Sequence, residues 1–267
     1  MPQSLRLAVP APLDLSPEDR VTLVETDAPE FAARLTATTG RLPVLAAGTV
    51  LTPADGAMPR LQIVGSGRRP GRELSPAGRL LFAKALAAGR LPAGETAFVP
   101  EKAGLALAWI TLSDKGSLGL RDDAAGPAIA ETCAAALSLC LTQGHIIPDD
   151  PGTLKALLTD LALAQGFDLI ITTGGTGLAP RDTTPEATLA VIEKRLPGFE
   201  TAMLTASLAK TRHAMISRAV VGTLGQSLIV NLPGSPKAVR ETLAAIIGAI
   251  PHGLDKLRGD PSDCAQA

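Results

Sequence analysis

The feature that most constrains the fold of this chain is an alternation of apolar and helical segments that begins at residue 104. The four clearest apolar runs of strand length are 105–111, 144–147, 167–172 and 226–231. The predicted helices are 124–141, 152–165, 185–195, 199–209 and 235–250. Because strands that are separated by helices pair in parallel, we predict an α/β fold for residues 104–267, a three-layer sandwich with a mostly parallel sheet.

Residues 1–103 have a different sequence pattern, in which short apolar runs are interrupted by Pro and Arg. The runs typical of short strands are 5–9, 20–24, 43–50 and 60–64. Only 77–88 has the pattern of a helix, so we predict a small β-rich or α+β module over 1–103. The segment 91–102, which contains two Pro and one Gly, is predicted to be the linker to the second domain.

Composition argues against several classes of function. A formal net charge of −1 provides no basic field for nucleic acid, and five Phe, one Trp and no Tyr leave little for base stacking. No apolar run approaches the length of about 18 residues that a membrane span requires. Cys133, Cys140 and Cys264 lack metal-binding spacing, and the first two are predicted to share one helix face. We therefore expect a cytoplasmic protein with no nucleic-acid or membrane partner.

Polar or glycine-rich loops follow the four predicted strands. The carboxyl ends of parallel strands meet at one edge of a sheet, and ligands bind there. We therefore expect these loops to form one polar crevice. The loops are SDKGS at 113–117, PDD at 148–150, TGGTGLAPRDTTP at 173–185 and NLPGSPK at 231–237.

The Gly-Gly-Thr-Gly segment at 174–177 is the most informative of these loops. Three glycines in four residues allow a tight turn that presents consecutive amides to an anion, and a predicted helix start follows. The pattern predicts a phosphate-binding loop, and an ordinary strand-to-helix turn is the alternative. The sequence has neither the ending of a Walker A loop nor the glycine spacing of a dinucleotide-binding fold.

Asp149 and Asp182 follow two different predicted strands and are expected to face the phosphate-binding loop. Two carboxylates repel a polyphosphate unless a cation lies between them, so this pattern predicts Mg²⁺ and phosphoryl or nucleotidyl transfer. The alternatives are a helix N-cap for Asp149 and a loop-capping carboxylate beside Arg181 for Asp182. Asp150 is the better candidate for a simple cap.

The last loop is stiffened by Pro233 and Pro236 around Gly234, and Ser235 can cap the helix that follows. Such a loop offers ordered backbone groups to a ligand at low entropic cost. Lys237 is unfavourable to the dipole of that helix, so it either contacts an anion or is simply solvated.

Together these loops resemble the molybdopterin adenylyltransferase family, the MogA-type enzymes of the MoaB/MogA superfamily. The resemblance covers about residues 105–257 and is carried by TTGGTGLAPRDTTPEAT at 172–188 and NLPGSPK at 231–237. Shorter matching stretches are LSDKG at 112–116, IPDD at 147–150, LPGFE at 196–200 and MISR at 215–218.

This resemblance implies an enzyme that transfers AMP from Mg·ATP to the terminal phosphate of molybdopterin and releases pyrophosphate. It implies that Asp149 and Asp182 are catalytic and hold Mg²⁺, and that the protein is a homotrimer with a molybdenum-insertion enzyme as partner. The implied substrate and nucleotide pocket consists of Ser113, Asp114, Gly174, Gly175, Thr176, Gly177, Asn231, Pro233, Gly234, Ser235 and Pro236.

Two other functions stay open at this point. A MoaB-like protein that binds or carries molybdopterin without turnover has the same fold, although the TPEAT continuation favours the active enzyme. The other is a structural fusion in which residues 1–103 drive oligomerisation. Those residues are compatible with a degenerate MOSC-like module, but no Cys precedes Cys133 to supply the cysteine that such modules use.

Overall fold

The computed structural model describes residues 4–26, 28–56, 59–71 and 77–261, and Cys264 lies outside these ranges. The chain divides into two compact units, Met1–Ala103 and Gly104–Ala267. Each unit contains its own cluster of buried hydrophobic side chains. Each therefore has the kind of core that an independent domain requires.

The first unit contains a closed barrel with the strand order β1-β4-β3-β7-β6-β5-β9, and a separate sheet in which β2 pairs with β8. The strands are β1 (Leu5–Val9), β2 (Leu13–Leu15), β3 (Arg20–Val24), β4 (Arg34–Ala37), β5 (Val50–Pro53), β6 (Leu61–Arg69), β7 (Gly78–Ala85), β8 (Gly89–Leu91) and β9 (Gly94–Glu101). Antiparallel pairing of β9 with β1 closes the barrel. The expectation of a β-rich N-terminal region is confirmed.

Two expectations for the first unit are wrong. The segment 77–88, predicted as a helix, contains strand β7, in which Ala83 and Ala85 are buried and Lys84 between them is partly exposed. Ala fits either element, and here the pairing of β7 with β3 and β6 decides. The segment 91–102, predicted as a linker, contains β9, which lies between β1 and β5 and fully buries Phe98.

The second unit is built around a six-stranded sheet with the order β11-β10-β12-β15-β14-β13. Its strands are β10 (Leu105–Leu112), β11 (Leu139–Ile147), β12 (Leu169–Thr173), β13 (Lys194–Arg195), β14 (Val221–Leu224) and β15 (Ser227–Leu232). The first four strands in that order pair in parallel. Strand β14 pairs antiparallel with β15 on one side and with β13 on the other. The α/β class is confirmed, but the sheet is mixed because β14 and β15 form a hairpin with no helix between them.

Helices connect and flank these strands. They are α1 (Asp114–Ser117), α2 (Ala125–Ala136), α3 (Pro151–Thr159), α4 (Thr184–Leu189), α5 (Pro197–Leu208), α6 (Pro236–Ala244) and α7 (Ile250–Leu257). A π-helical segment, Asp160–Gln165, extends α3, and short 3₁₀ segments lie at Arg212–Ile216 and Ile247–Ala249. None of the helices in the described ranges has the length and apolarity that crossing a bilayer requires.

Both faces of the sheet are buried. Leu107, Leu169 and Ile171 project from one face into a core shared with residues of α2, α5, α6 and α7. Ala108 and Ile170 alternate with them along the strands and are also fully buried, so they cover the opposite face. A sheet that is covered on both sides needs apolar residues at consecutive positions, which explains the continuous apolar runs in the sequence.

The predicted helix at 124–141 is shorter than expected. Helix α2 ends before Leu137, which has an extended backbone, and β11 begins two residues later. Cys133 is therefore buried in α2, whereas Cys140 lies in β11, and the expectation that they share a helix face is wrong. No Gly or Pro marks this boundary in the sequence, so the Ala- and Leu-rich pattern runs through it.

Trp109 in β10 is packed very closely against two glycines. Its indole ring lies over the backbone of Gly126 at the start of α2 and of Gly144 in β11. A Cβ atom at either glycine would overlap the ring. The absence of a side chain at both positions is therefore what makes room for the only Trp of the chain.

Candidate functional site

Two aspartates tie together the loops that follow β10 and β11. The backbone amide of Asp114 donates to Oδ2 of Asp149 (3.2 Å), and the amide of Asp149 donates to Oδ1 of Asp114 (3.1 Å). Ser113 caps the single turn of α1, because its Oγ accepts from the amide of Gly116 (3.0 Å). Two carboxylates thus meet at the carboxyl ends of adjacent parallel strands, where α/β proteins bind ligands.

Arg181 attaches the loop after β12 to this pair. Its Nη2 donates to Oδ1 of Asp114 (2.9 Å) and to the backbone carbonyl of Asp149 (3.3 Å). The side chain of Arg181 is 65% exposed, so it bridges the two loops at the surface of the site. Asp182 is the next residue, and its negative charge acts on Asp149.

The glycine loop turns in a conformation that favours glycine at two successive positions. Gly174 has φ +99° and Gly175 has φ +63°, both in the left-handed region. A Cβ at Gly174 would lie 2.6 Å from the carbonyl oxygen of Leu112, and a Cβ at Gly175 would overlap Oγ1 of Thr184. The two glycines therefore permit both the turn and its close approach to neighbouring backbone.

The glycine loop also packs against the loop that follows β15. Thr173 donates its hydroxyl to the carbonyl of Pro233 (2.7 Å), and a Cβ at Gly234 would come within 3.4 Å of the Cα of Gly174. On the other side, Thr184 donates its hydroxyl to the carbonyl of Gly174 (2.9 Å). All four predicted loops are therefore in contact, directly or through one neighbour.

Asp182 is held by the backbone of its own loop. Its Oδ2 accepts from the amide of Ala179 (2.8 Å), and a Cβ at Gly177 would lie 2.8 Å from the same oxygen. The carboxylate thus rests against the last glycine of the Gly-Gly-Thr-Gly segment. Asp182 caps its loop, as the alternative interpretation proposed, and its negative charge also acts on Asp149.

The pKa of Asp149 is raised above its ordinary value of 3.8. Burial is the largest cause, and the negative charges of Asp114 and Asp182 add to it. The amide of Asp114 and the charge of Arg181 act in the opposite direction without outweighing these effects. A cluster in which carboxylates repel one another is one that a bound cation would relieve.

Two neighbouring residues have structural roles as helix caps. Asp150 caps α3, accepting from the amide of Thr153 (2.6 Å), and this hydrogen bond is the main cause of its lowered pKa. Ser235 caps α6 by accepting from the amide of Ala238 (3.1 Å). Asp150 is therefore the simple cap of the Asp149–Asp150 pair, and Asp149 remains available to a ligand.

Asn231 supports the site from behind. It is fully buried, and its Nδ2 donates to the hydroxyls of Thr172 and Thr188, both at 2.9 Å. The amide therefore links β15 to the strand before the glycine loop and to helix α4 after it. Among the described residues, its Oδ1 has no hydrogen-bond donor, so this oxygen retains capacity for water.

Three cavities adjoin these loops. The first, of about 210 Å³, lies between the loops after β10, β12 and β15 and the start of α2; the predicted residues that line it are Ser113, Gly174, Gly234 and Pro236. A second, of about 380 Å³, is lined by residues of α4, α5 and 217–220 together with Pro233. A third, of about 240 Å³, includes Thr176, Gly177 and again Pro233. The loop after β15 thus borders all three.

Two residues at the site were missed by reasoning from the sequence. Asp123 lines the smallest cavity, accepts from the amides of Ala125 and Gly126, and so caps α2. Arg218 contacts the loop that carries Asp182 through three side-chain donors. Only the MISR stretch contained Arg218, and nothing in its residue pattern indicated these contacts.

Comparison with known proteins identifies the family. Residues 108–252, more than half of the chain, match the family described as Probable molybdopterin binding domain. The chain belongs to this family. The match lies entirely within the second unit and includes all four loops described above.

The chain is similar to a molybdopterin adenylyltransferase of Helicobacter pylori, with 40% identity over 152 residues, which are 57% of this chain and 86% of that protein. Gephyrin of Dictyostelium discoideum is 38% identical over 57% of this chain, but the chain spans only 22% of its length. The crystal structure of the molybdopterin biosynthesis enzyme MoaB from Thermus thermophilus is 42% identical, with a TM-score of 0.54 over 60% of this chain and 99% of that one. The predicted resemblance to the MoaB/MogA superfamily is confirmed.

Proposed function

We propose that this family member is a molybdopterin adenylyltransferase, which transfers AMP from ATP to the terminal phosphate of molybdopterin and releases pyrophosphate. The observation that carries the proposal is the pair of hydrogen bonds between the Asp114 and Asp149 loops at the carboxyl edge of parallel strands, to which Arg181 joins the glycine loop. The 40% identity to an adenylyltransferase of Helicobacter pylori over most of that protein supports it.

In this proposal Asp149 and Asp182 hold Mg²⁺. Their fit is supported by the chemistry of the donors, since carboxylate oxygens are the ligands that Mg²⁺ prefers in proteins. Within the described ranges, no group of three or more His, Cys, Asp or Glu side chains is arranged to hold a metal. Substrate phosphates and water would supply the other ligands, as is common for Mg²⁺, and the metal would neutralise phosphate charge.

The glycine loop is the proposed phosphate-binding element. Its turn at Gly174 and Gly175 leaves the backbone free of side chains, so that amides can approach phosphate oxygens closely. The neighbouring cavities of about 210 and 380 Å³ give separate room for two substrates on either side of the loop after β15. Holding both substrates in one orientation is itself a large part of the catalysis of group transfer.

The remaining parts of the proposal follow the family resemblance. They are a three-layer arrangement of the α/β unit, a homotrimer, and a molybdenum-insertion enzyme as the partner that receives the adenylylated product. The cytoplasmic location and the MOSC-like character of residues 1–103 stay predictions.

Release of pyrophosphate tests the function directly. The purified protein, supplied with molybdopterin, ATP and Mg²⁺, is expected to release pyrophosphate, and Asp149→Asn is expected to lower kcat by about 1,000-fold because several kcal/mol of charge stabilisation are lost. Asp150→Asn is the matched control, since Asn is an equally good N-cap and activity should be retained. Full turnover by Asp149→Asn would contradict the assigned role.

A carrier of molybdopterin without turnover is the second candidate. The observation that favours it is the 42% identity to MoaB of Thermus thermophilus, which is described as a molybdopterin biosynthesis enzyme and not as an adenylyltransferase. A carrier would bind molybdopterin equally well with and without ATP and would release no pyrophosphate. Equilibrium binding of molybdopterin at several ATP concentrations therefore separates the two candidates.

A further inference from the structure

Arg218 makes several contacts with the loop that carries Asp182. Its Nε donates to the carbonyl of Gly177 (2.8 Å), and its Nη2 donates to the carbonyl of Asp182 (2.5 Å). Its Nη1 pairs with the carboxylate of Glu186. Its own backbone amide donates to the carbonyl of Thr176 (3.1 Å). Four contacts from one residue thus span the loop from 176 to 186.

These contacts bear on the position of one carboxylate. Oδ2 of Asp182 rests against Gly177, and Arg218 holds the carbonyls of both of these residues. A single side chain therefore fixes the backbone that bears the carboxylate and the backbone against which it lies. The side chain of Arg218 is 33% exposed, so these hydrogen bonds are only partly open to competition from water.

We propose that Arg218 is a positioning residue for the adenylyl transfer, which acts by clamping the 176–186 loop so that the carboxylate of Asp182 is presented to the substrate phosphates. This inference rests on the proposed function and deepens it. The planar fork of the guanidinium is essential, because its three donors reach two carbonyls and a carboxylate at the same time. A Lys ammonium has a different shape and cannot reproduce that arrangement.

The kinetic test uses Arg218→Lys in the full-length protein, with Arg240→Lys as the matched control. Arg240 makes an exposed pair with Glu131 on the surface of the same unit, so its replacement should leave activity unchanged. Arg218→Lys is expected to lower kcat by about 100-fold, as for a displacement of about 1 Å in a reacting group. Because Arg218 also lines the cavity of about 380 Å³, the KM values for ATP and molybdopterin are measured as well. A loss in kcat is the mark of a positioning role, and a loss confined to KM would overturn the proposal.

A double-mutant cycle separates positioning of Asp182 from general support of the fold. In an Asp182→Asn background, Arg218→Lys should cost less than about threefold further, because the group that it positions is already gone. Equal losses of kcat in the two backgrounds would overturn the proposal, and so would wild-type activity of Arg218→Lys.

Hydrogen exchange supplies a readout that does not depend on the reaction. In Arg218→Lys, amides over 176–186 should exchange at least about 10-fold faster, whereas those of α2 should keep their wild-type rates. Unchanged exchange over 176–186 would overturn the clamp even in an active enzyme. If the wild type releases no pyrophosphate, the proposed function fails, and the exchange experiment still decides whether Arg218 holds the loop. If Arg218→Lys fails to fold, Arg218→Gln is measured in the same way.

Discussion

Glu25 in the barrel and Asp149 in the α/β unit are both partly buried carboxylates that accept backbone amides, yet their pKa values shift in opposite directions. Burial opposes the charge of each. At Glu25, the amides of Arg79 (2.7 Å) and Leu42 (3.0 Å) and the charges of nearby Arg side chains outweigh burial, so the pKa is lowered. At Asp149, neighbouring carboxylates add to the effect of burial, so the pKa is raised.

The difference follows from topology. In the barrel, mostly antiparallel strands send successive chain reversals to opposite ends, and a carboxylate such as Glu25 can be fully occupied in joining two segments. In the α/β unit, four parallel strands bring their carboxyl ends to one edge, so that acidic side chains such as Asp114 and Asp149 come close to one another there. A parallel sheet thus creates an electrostatically unfavourable cluster that a ligand can relieve, and such clusters are typical of functional sites.

The largest difference between the two units is expected from replacing one glycine of similar conformation in each of them. Gly175→Ala is expected to lower kcat/KM by about 100-fold, because its Cβ would displace Thr184 and with it the glycine loop. Gly40 in the barrel also has a left-handed φ, of +69°, but open space surrounds it. Gly40→Ala should cost about 1 kcal/mol in the free energy of unfolding and leave activity intact. Equal values of kcat/KM for the two variants would contradict this difference between the units.

Loss of the barrel carboxylate should lower stability. Glu25→Gln is expected to reduce the free energy of unfolding by about 1 kcal/mol at pH 7, because charged acceptors bind amides more strongly than neutral ones. Since the pKa of Glu25 is lowered, its contribution is present above its ordinary value of 4.5 and is lost as the pH falls through the folded value. Urea unfolding between pH 3 and 7 measures the difference. A difference between the variants that is constant with pH would contradict this account.

Loss of the Asp149 carboxylate should change stability in the opposite direction from loss of Glu25, and by less. Asp149→Asn is expected to raise Tm slightly at pH 7, since it removes a charge that burial and Asp114 disfavour. The pKa of Asp149 is raised, so the gain should grow as the pH rises from 3.8 through the folded value and vanish below it. Scanning calorimetry at several pH values checks this. A lower Tm for Asp149→Asn at pH 7 would show that the amide contact outweighs the repulsion.

The smallest effect is expected from separating the two units. Residues 104–267 contain their own core and all four loops of the site, so they should unfold cooperatively when expressed alone. Their rate of pyrophosphate release should lie within about twofold of that of the full chain. A large loss of activity, or a change in the number of subunits per particle in solution, would show that the barrel contributes to function or assembly.

Much of the α/β unit could be predicted from the sequence, because its strands are apolar on both faces and its loops contain the turn residues that mark their ends. Asp149 and Asp150 illustrate what pattern alone leaves open. The prediction that Asp150 is the simple cap is confirmed by its hydrogen bond with the amide of Thr153, whereas the hydrogen bonds between the Asp149 and Asp114 loops could not be predicted. The family resemblance indicated which loops form the site, but it did not indicate the hydrogen bonds between them.

The remaining differences come from tertiary contacts. Strand β7 is rich in Ala and Leu, and pairing with its neighbours overrides its helical pattern. Asn231 was expected in the pocket with the rest of NLPGSPK. The structure buries it in hydrogen bonds with Thr172 and Thr188, and the sequence does not show this because both threonines are distant along the chain. Arg218 was missed for the same reason, since its partners lie 32–41 residues away.

The fit of Trp109 between two glycines gives the protein an intrinsic optical reporter. The chain has no Tyr and no other Trp, so excitation near the red edge of protein absorbance addresses this one indole. The ring lies against Gly126, whose amide is bound by Asp123, and Asp123 lines the smallest of the three cavities. A ligand that repositions Asp123 therefore alters the surroundings of the fluorophore, and occupancy of that cavity can be followed in solution without a label.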